Sequence, residues 1–446
     1  MSQSISTKPP SGMRDFLAAD VARRRHVVGV VQRVYESFGF VPLETPTIEN
    51  LTTLLGKYGP EGDQLLYRIL HRREKLQRAL EGGAATELDL ADEGLRYDLT
   101  VPLARVVANY RDLPHYYKRY QIQPVWRADR PAKGRFREFW QCDVDITGTK
   151  NVVADAEVCG AVATVLRELG FTDFKILVNH RELLRALVAD AGIAAEQEGL
   201  ALVVLDKLDK VGVDGVKKEL AEKGVAVART ESLLAVLDRA REPEALRSLA
   251  ERDGPAGVGA RELLALLATG ASGPAATHIV FDPTLARGLS YYTGPIFEIG
   301  VAGLAGSMGG GGRYDNLIGM FGKQQIPAVG FSLGLERVLL VMEERGMFPA
   351  LGVGPEVLLC RMNDVPESEA IRAATVLRAS GLRVEVFADL AQLGKQLQYA
   401  NTLGVPFAAI LGTKELALGA VTLKDLRSGE QVSLPLAEVG ARVRRV

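Results

Sequence analysis

Basic and aromatic side chains are concentrated between Arg111 and Arg137, and their types suit a ligand that carries both charge and rings. The stretch holds eight bases and two acids, a local charge of +6, in a chain whose formal net charge is −1. Cations interleaved with Tyr, Trp and Phe bind phosphates and stack on nucleobases. The alternative is a solvated charged surface, and composition alone supports the two interpretations about equally.

The elements that position these residues are predicted from periodicity. Two strand-like segments, YQIQPVWRA and FREFWQCDVDI, flank the loop DRPAKGR in this basic stretch. Upstream, apolar residues at helical spacing (Val27, Val31, Val34) predict a helix that is capped at Asp20 and ends at Gly39. The segment FVPLETPTI follows, and its two prolines favour an edge strand.

The rest of the chain divides by composition. Leu- and Ala-rich runs over 179–269 predict a helical insertion or a separate small domain, with no residue that looks catalytic. Strand-like segments return near 278–300, and the helix LERVLLVMEERG leads to a linker at 346–355. Residues 356–446 alternate between strand and helix patterns, which predicts a small α/β domain of βαβ type.

A run of four glycines in SMGGGGRYDNLIG is the second candidate for ligand contact. Adjacent glycines cost backbone entropy, so they suit either a flexible loop or a place where a ligand touches the backbone closely. The run lacks the strand–GxGxxG–helix context of a dinucleotide site, and the chain has no GxxxxGK[ST] phosphate loop.

Length and composition exclude several classes of protein. At roughly 100–200 residues per domain, 446 residues predict two to four domains, and 47% apolar content suffices for a sizeable core. A balanced charge argues against a polybasic binder.

Three distant cysteines favour a reducing compartment. There is no apolar leader and no uncharged apolar stretch of 18 residues, so we expect a cytoplasmic protein without a membrane span. The five scattered histidines predict no metal cluster.

Taken in order, several motifs resemble those of the histidyl-tRNA synthetases, which are class II aminoacyl-tRNA synthetases. The first helix with TPTIEN resembles motif 1, WRAD followed by Arg135-xxx-Phe139-xxx-Asp143 resembles motif 2, and GFSLGLER resembles motif 3. ARGLSYYTG and GGGGRYDNL resemble the family's histidine motifs, and LRYDLTVPLAR completes the pocket. The C-terminal LGKQLQYANTLGVPFAAILG resembles its anticodon-binding domain.

The resemblance implies an α+β fold: a class II catalytic domain, an antiparallel sheet flanked by helices, with a helical insertion and a C-terminal α/β anticodon-binding domain. The catalytic domain would comprise 1–178 and 270–345, the insertion 179–269, the linker 346–355 and the anticodon-binding domain 356–446. It further implies a homodimer built on motif 1. The reaction would join L-histidine to ATP as histidyl-adenylate, with Mg²⁺ accompanying the nucleotide, and then transfer histidine to tRNA(His).

Residue roles follow from the same resemblance. Arg127 would hold the α-phosphate and the histidine carboxylate, and Arg287 would lie beside that phosphate, making these two the catalytic residues. The ATP-binding set adds three side chains: Phe139 and Arg337 would sandwich the adenine, and Arg135 would approach the outer phosphates. The histidine-binding set contains Asp98, Thr100 and Gln141 for the α-amino group, Asp145 and Tyr292 for the imidazole, and Tyr291 in the pocket wall. Tyr314 could equally be a pocket residue or a core aromatic. A core role is also an alternative for Tyr291 and for Phe139.

Two departures and two alternatives remain. Ser290 stands where the histidine motif commonly has Asp, and Asp129 stands where motif 2 often has Glu. One alternative function is the non-catalytic regulatory subunit of ATP phosphoribosyltransferase, whose members lack the C-terminal domain and tend to lose motif 2 arginines. The other is a nucleic-acid-binding module without chemistry, against which the complete histidine pocket argues.

Overall fold

The computed structural model describes residues 6–56, 63–83, 86–242, 244–286, 291–304, 306–322 and 324–445. It divides into a larger compact unit, chiefly Arg23–Pro349, and a smaller one, chiefly Ala350–Val446. Within the described ranges, no helix combines the length and apolar content needed to cross a bilayer.

The strands of the larger unit form one large sheet and one small one. In chain order they are β1 (Val41–Pro42), β2 (Ile48–Asn50), β3 (Arg68–Leu70), β4 (Ala91–Leu95), β5 (Tyr117–Trp126), β6 (Glu138–Thr147), β7 (Phe174–His180), β8 (Ile279–Phe281), β9 (Pro295–Val301), β10 (Gly309–Arg313) and β11 (Ala328–Gly334). The eight-stranded sheet has the order β1-β5-β6-β11-β10-β9-β7-β8, and the three-stranded sheet has the order β2-β4-β3. Neighbours in the large sheet are antiparallel except at its two edges, where β1–β5 and β7–β8 are parallel.

Helices surround these sheets. They are α1 (Ala18–Ser37), α2 (Leu51–Leu54), α3 (Arg73–Glu81), α4 (Glu87–Leu90), α5 (Thr100–Asn109), α6 (Val152–Glu168), α7 (Arg181–Asp190), α8 (Ala195–Leu205), α9 (Leu208–Glu222), α10 (Val227–Arg239), α11 (Ala245–Ala250), α12 (Pro255–Gly270) and α13 (Leu335–Glu344), with a 3-10 turn at Ile318–Met320. The predicted apolar stripe of α1 is buried, and Gly39 has a positive φ of 78° just beyond its end. The helix begins at Ala18, so Asp20 lies in its first turn and does not cap it as predicted.

The helical segment between β7 and β8 shares the core of the sheet. Its helices run from Arg181 to Gly270, and their buried leucines, such as Leu187 and Leu263, belong to the same apolar cluster as Val158 of α6. Because the apolar contacts are continuous, this segment is an insertion packed onto the eight-stranded sheet rather than a separate globule.

The glycine run is a strand in the interior of the large sheet, between β9 and β11. A Cβ atom at Gly311 would overlap the carbonyl oxygen of Gly330 on β11. At Gly312 it would lie 2.9 Å from Cδ1 of Tyr292. The glycines therefore allow neighbouring strands and a tyrosine ring to approach closely, and the flexible-loop interpretation was wrong.

The smaller unit is an α/β domain. Its strands β12 (Val357–Arg361), β13 (Val384–Val386), β14 (Phe407–Leu411), β15 (Ala420–Asp425) and β16 (Gln431–Pro435) have the sheet order β13-β12-β14-β15-β16. Its helices are α14 (Glu367–Ala379), α15 (Leu393–Leu403), α16 (Thr413–Ala417) and α17 (Val439–Val443), with a 3-10 turn at Leu436–Glu438. Because β13, β12 and β14 are parallel and joined by α14 and α15, the predicted βαβ pattern is present.

Candidate active site

The floor of the candidate site is the polar face of the β5–β6 hairpin. Cross-strand pairing sets Arg119 opposite Asp145, Gln121 opposite Asp143 and Gln123 opposite Gln141. Alternate residues of a strand share a face, so these six side chains lie on one side of the sheet. The intervening Tyr120, Cys142 and Val144 enter the apolar core on the other side.

Asp145 contacts Arg119 of β5 and Tyr314, which directly follows β10. Nη2 of Arg119 lies 2.9 Å from Oδ2 of Asp145, and the two side chains are 0% and 3% exposed. The Tyr314 hydroxyl donates a hydrogen bond to Oδ1. Gly330 of β11 pairs with Asp145 of β6. A Cβ atom at position 330 would overlap Oδ1 of Asp145, so this position requires glycine. Burial raises the pKa of Asp145, while the positive charge of Arg119 and the Tyr314 hydroxyl oppose that rise.

The residues predicted to bind an α-amino group lie around the start of α5 and on β6. Oδ1 of Asp98 accepts a hydrogen bond from Val101 N at 3.2 Å, and Thr100 is the first residue of the helix. Gln141 donates from Nε2 to Ser332 Oγ at 2.8 Å. Two nearby oxygen atoms, Oε1 of Gln141 and Oδ1 of Asp143, are buried without a hydrogen-bond partner among the described residues. These polar atoms could serve an ammonium group.

Asp143 adds a carboxyl group that the sequence analysis treated only as part of motif 2. Burial raises its pKa to about 7, the charge of Arg119 opposes the rise, and the nearby Asp145 and Asp98 add to it. A cationic ligand would relieve this crowding of carboxylates.

Arg127 lies at the end of β5 beside an aromatic ring. Its Nε donates to Tyr97 O at 3.0 Å, and its guanidinium carbon is 5.1 Å from the centroid of the Phe139 ring. Arg337 on α13 donates from Nη1 to Ser307 O at 2.8 Å. The structure thus brings Arg127 and Phe139 together, and the roles of Phe139 and Arg337 toward adenine stay predictions.

Several basic side chains between Arg111 and Arg137 are paired with acidic ones, so the stretch presents less free positive charge than its number of bases suggests. Arg135 donates from Nε and Nη2 to Oδ2 of Asp129, at 3.1 and 2.6 Å. Three further bases of the stretch form ion pairs: Lys118 with Glu157, Arg119 with Asp145 and Lys133 with Glu344. Part of the +6 charge is therefore internal to the fold, and the interpretation as a plain solvated patch is wrong for Arg119.

The histidine motif ARGLSYYTG is only partly described. Arg287 and Ser290 lie outside the described residues. The Tyr291 ring is 4.4 Å from that of Tyr292 and 6.0 Å from that of Tyr314, centroid to centroid. The three tyrosines therefore form one aromatic wall next to Asp145.

Two contacts were missed from the sequence. Arg119 was counted only as one base among eight, although its place opposite Asp145 would have been visible from the register of two strands that both alternate in polarity. Glu336 of motif 3 was assigned no role. Its carboxylate accepts from Arg24 Nη1 and from Trp140 N, both at 2.9 Å, and so joins α13 to α1 and β6.

An antiparallel sheet flanked by helices, with a motif 2 hairpin whose arginine contacts an aromatic ring, defines a class II aminoacyl-tRNA synthetase. The sequence model of the histidyl-tRNA synthetases matches residues 12–338, and that of an anticodon binding domain matches residues 356–445. Two curated histidine–tRNA ligases, from Cytophaga hutchinsonii and Gloeobacter violaceus, are each 40% identical; the alignments cover 96% of this chain and 98% and 96% of the relatives. The chain belongs to the histidyl-tRNA synthetase family.

Solved structures agree on the fold. The histidyl-tRNA synthetase from a Nostoc species has a TM-score of 0.77 at 29% identity, covering 99% of each chain. A Bacillus halodurans protein described as an ATP phosphoribosyltransferase regulatory subunit/histidyl-tRNA synthetase has a TM-score of 0.72 at 24% identity, covering 89% of this chain and 97% of that one. At that identity the second likeness shows a shared fold only.

Proposed function

We propose that the polar floor of the β5–β6 hairpin is where this chain, a histidine–tRNA ligase, activates L-histidine with ATP before transferring it to the 3′ end of tRNA(His). The observation that carries the proposal is the buried Asp145, set between Arg119 and Tyr314 beside the start of α5. The regulatory-subunit alternative is disfavoured, because the motif 2 arginines and the match to an anticodon binding domain are both present.

Histidine recognition is assigned to two groups of side chains. A neutral imidazole has one N–H donor and one acceptor nitrogen. Asp145 would accept from the donor, and Tyr292 would serve the other nitrogen, with Tyr291 in the wall. Asp98, Thr100 and Gln141 would bind the α-amino group. A pocket of this kind rejects apolar amino acids strongly, because they leave its buried polar groups unpaired.

Activation is assigned to arginines. The histidine carboxylate attacks the α-phosphate of ATP, and pyrophosphate leaves. Since both reactants are anions, Arg127 and Arg287 would neutralise and align them, which supplies most of the catalysis. Arg135 would bind the outer phosphates, and Phe139 and Arg337 the adenine. Mg²⁺ usually reaches such sites on the phosphates. Among the described residues, no group of three or more His, Cys, Asp or Glu side chains is arranged to hold a metal ion.

Contact with tRNA is assigned to both units. The DRPAKGR loop of motif 2 would meet the acceptor end, and residues 356–446 would bind the anticodon. The three cysteines are buried and form no disulfide, which suits the cytoplasm that we propose for this ligase.

Deletion of residues 356–446 is expected to spare histidine-dependent pyrophosphate exchange and to reduce charging of tRNA(His) severely, because two linked contacts bind tRNA far better than one. Charging with labelled histidine and pyrophosphate exchange are measured on the same truncated preparation. Retained exchange shows that the catalytic unit is folded. Charging at the efficiency of the full chain would contradict the domain assignment.

We propose that the chain works as a twofold homodimer through the motif 1 surface. An open groove of about 560 Å³ lies at the TPTIEN part of motif 1, and its lining is drawn mainly from residues between 43 and 50 and from Arg105, Val106, Tyr110, Leu113 and Tyr117. The side chains of Ile48 and Tyr110 in this lining are 40% and 58% exposed. Large apolar groups beside charged ones, such as the Arg105–Glu49 ion pair at 2.7 Å, suit a self-complementary contact.

Sedimentation at micromolar concentration should show a dimer, and Ile48→Asp should shift it toward monomer, since a twofold axis buries the new charge twice. The matched control is Leu418→Asp, which adds the same charge at a side chain 76% exposed in the smaller unit and should leave the dimer intact. A fully active monomer at all concentrations would refute the assembly.

A further inference from the structure

Arg119 is an arginine with no exposed surface, and neither the family resemblance nor the proposed roles give it a task. We propose that Arg119 is a positioning residue for histidine recognition: it keeps Asp145 ionised in the buried pocket and fixes the two ends of the histidine subsite relative to each other. This inference rests on the proposed histidine activation and adds a specificity-determining residue to it.

Arg119 contacts both ends of the proposed histidine subsite. The same nitrogen, Nη2 of Arg119, lies 2.9 Å from Asp145 Oδ2 and donates to the Leu99 carbonyl oxygen at 3.2 Å. Leu99 precedes the first residue of α5 and stands between Asp98 and Thr100, the proposed partners of the α-amino group. One guanidinium therefore connects the proposed imidazole reader to the segment that would hold the other end of the substrate.

The two carboxylate oxygens of Asp145 differ in their hydrogen-bond partners. Oδ1 accepts the Tyr314 hydroxyl. Oδ2 has the charge of Arg119 beside it, but no described residue donates a hydrogen bond to it with acceptable geometry. Nearly all buried polar atoms have a partner, so a buried oxygen without one, beside the proposed histidine-binding residues, supports a ligand contact. An imidazole N–H is the donor that this oxygen lacks.

The positive charge of Arg119 favours the ionised form of the buried Asp145 carboxyl group. A buried carboxyl group without a counter-charge takes up a proton, and as an acid it would no longer accept at both oxygens. Arginine stays protonated in proteins, so it supplies a charge that does not vary with pH. Among the described residues, the titratable groups that act on Asp145 or on its neighbours include Asp143 on β6, Asp98 before α5, Tyr314 and Tyr291 in the aromatic wall, and Tyr35 of α1. Burial raises the pKa of Asp143 to about 7 and raises the pKa values of Tyr35 and Tyr314 well above their ordinary range, so Asp143 is the competing group to separate from Asp145.

The test is the KM for histidine in pyrophosphate exchange with Arg119→Lys and Arg119→Met, measured from pH 6 to 8.5 and divided by the wild-type KM at each pH. Titration of free histidine is common to both proteins and cancels in this ratio. We expect the ratio for Arg119→Met to be larger at pH 6 than at pH 8.5, by about ten-fold for each pH unit over which Asp145 takes up a proton. Arg119→Lys keeps a cation, so its KM ratio should change less between pH 6 and pH 8.5 than the ratio for Arg119→Met does. In both variants the KM for ATP should stay within about two-fold of the wild-type value at every pH.

Two controls separate this role from a structural one. Arg361 of the smaller unit is another buried arginine, with Nη2 2.9 Å from Oε1 of Glu367 and a side chain 6% exposed, so Arg361→Lys should lower Tm without adding a pH-dependent step to the histidine KM. In the Asp145→Asn background, Arg119→Lys should add no pH-dependent step, because the group that titrates is gone. A step that persists there would belong to Asp143 and overturn the inference.

The remaining outcomes are equally decisive. A flat KM ratio in folded Arg119→Lys and Arg119→Met refutes the positioning role while leaving histidine activation standing. If Arg119→Met fails to fold, Arg119→Lys and its double variant with Asp145→Asn still decide the question. Absence of histidine-dependent exchange in the wild-type protein would instead refute the proposed function.

Discussion

Replacement of Arg127 by alanine is expected to abolish histidine-dependent pyrophosphate exchange without unfolding the protein. The guanidinium rests on the Phe139 ring and on the Tyr97 carbonyl oxygen, and these contacts aim a bidentate cation where the α-phosphate and the histidine carboxylate would meet. Loss of such a stabilising group costs on the order of 3 kcal/mol or more, which is a rate reduction of at least about 100-fold. Arg287→Ala should have a comparable effect, because the resemblance of its segment to the histidine motif implies that Arg287 lies beside the same phosphate.

The control is Lys133→Ala. Lys133 belongs to the same hairpin loop, its side chain is 78% exposed and it pairs with Glu344, so this variant removes the same charge from the same segment but away from the proposed phosphate position. Its exchange rate should stay near that of the wild type. Near wild-type exchange by folded Arg127→Ala or Arg287→Ala would show that the assigned role is wrong.

Asp145→Asn is expected to raise the KM for histidine by about 10- to 150-fold, with little change in the KM for ATP. The amide keeps the shape and one acceptor, but it loses a charge-assisted hydrogen bond worth about 1.5–3 kcal/mol. It also leaves Arg119 buried without its counter-charge, so a lower Tm is expected. Tyr292→Phe should raise the same KM by removing the proposed second contact with the imidazole.

Tyr314→Phe serves as the comparison, since its hydroxyl touches Asp145 rather than the proposed position of the substrate. It should raise the histidine KM less than Asp145→Asn does. An unmoved histidine KM in both Asp145→Asn and Tyr292→Phe would mean that the imidazole is bound elsewhere, and the roles of both residues would fail.

Regular periodicity was enough to predict the helices that pack one face against the sheet. The stripe of Val27, Val31 and Val34 led directly to α1, and the Leu-rich insertion led to helices that begin one residue after β7. The glycine run could not be interpreted in this way, because glycines have no side-chain pattern, and only the neighbouring strands show why Gly311 and Gly330 must be small.

Charge counts failed for a different reason: they carry no information about burial. Arg119 and Lys133 contribute equally to the basic stretch, yet Arg119 is fully buried against Asp145 and Lys133 is mostly in solvent. The role of Tyr314 was likewise undecidable from its residue type, because a buried tyrosine and a pocket tyrosine look alike until the hydroxyl's partner is known. The order of the motifs was enough to predict the family, whereas the contacts of Asp145 follow from the register of β5 and β6 in the structure.

The most direct test of the account is ATP–pyrophosphate exchange by the purified full-length protein with Mg²⁺, measured separately with each of the twenty amino acids. Histidine alone should drive exchange, since a pocket that pairs a buried carboxylate with a ring N–H rejects side chains without that donor by about 10⁴-fold or more. Exchange with another amino acid at a rate comparable to histidine, or none with histidine, would contradict the assignment of this site.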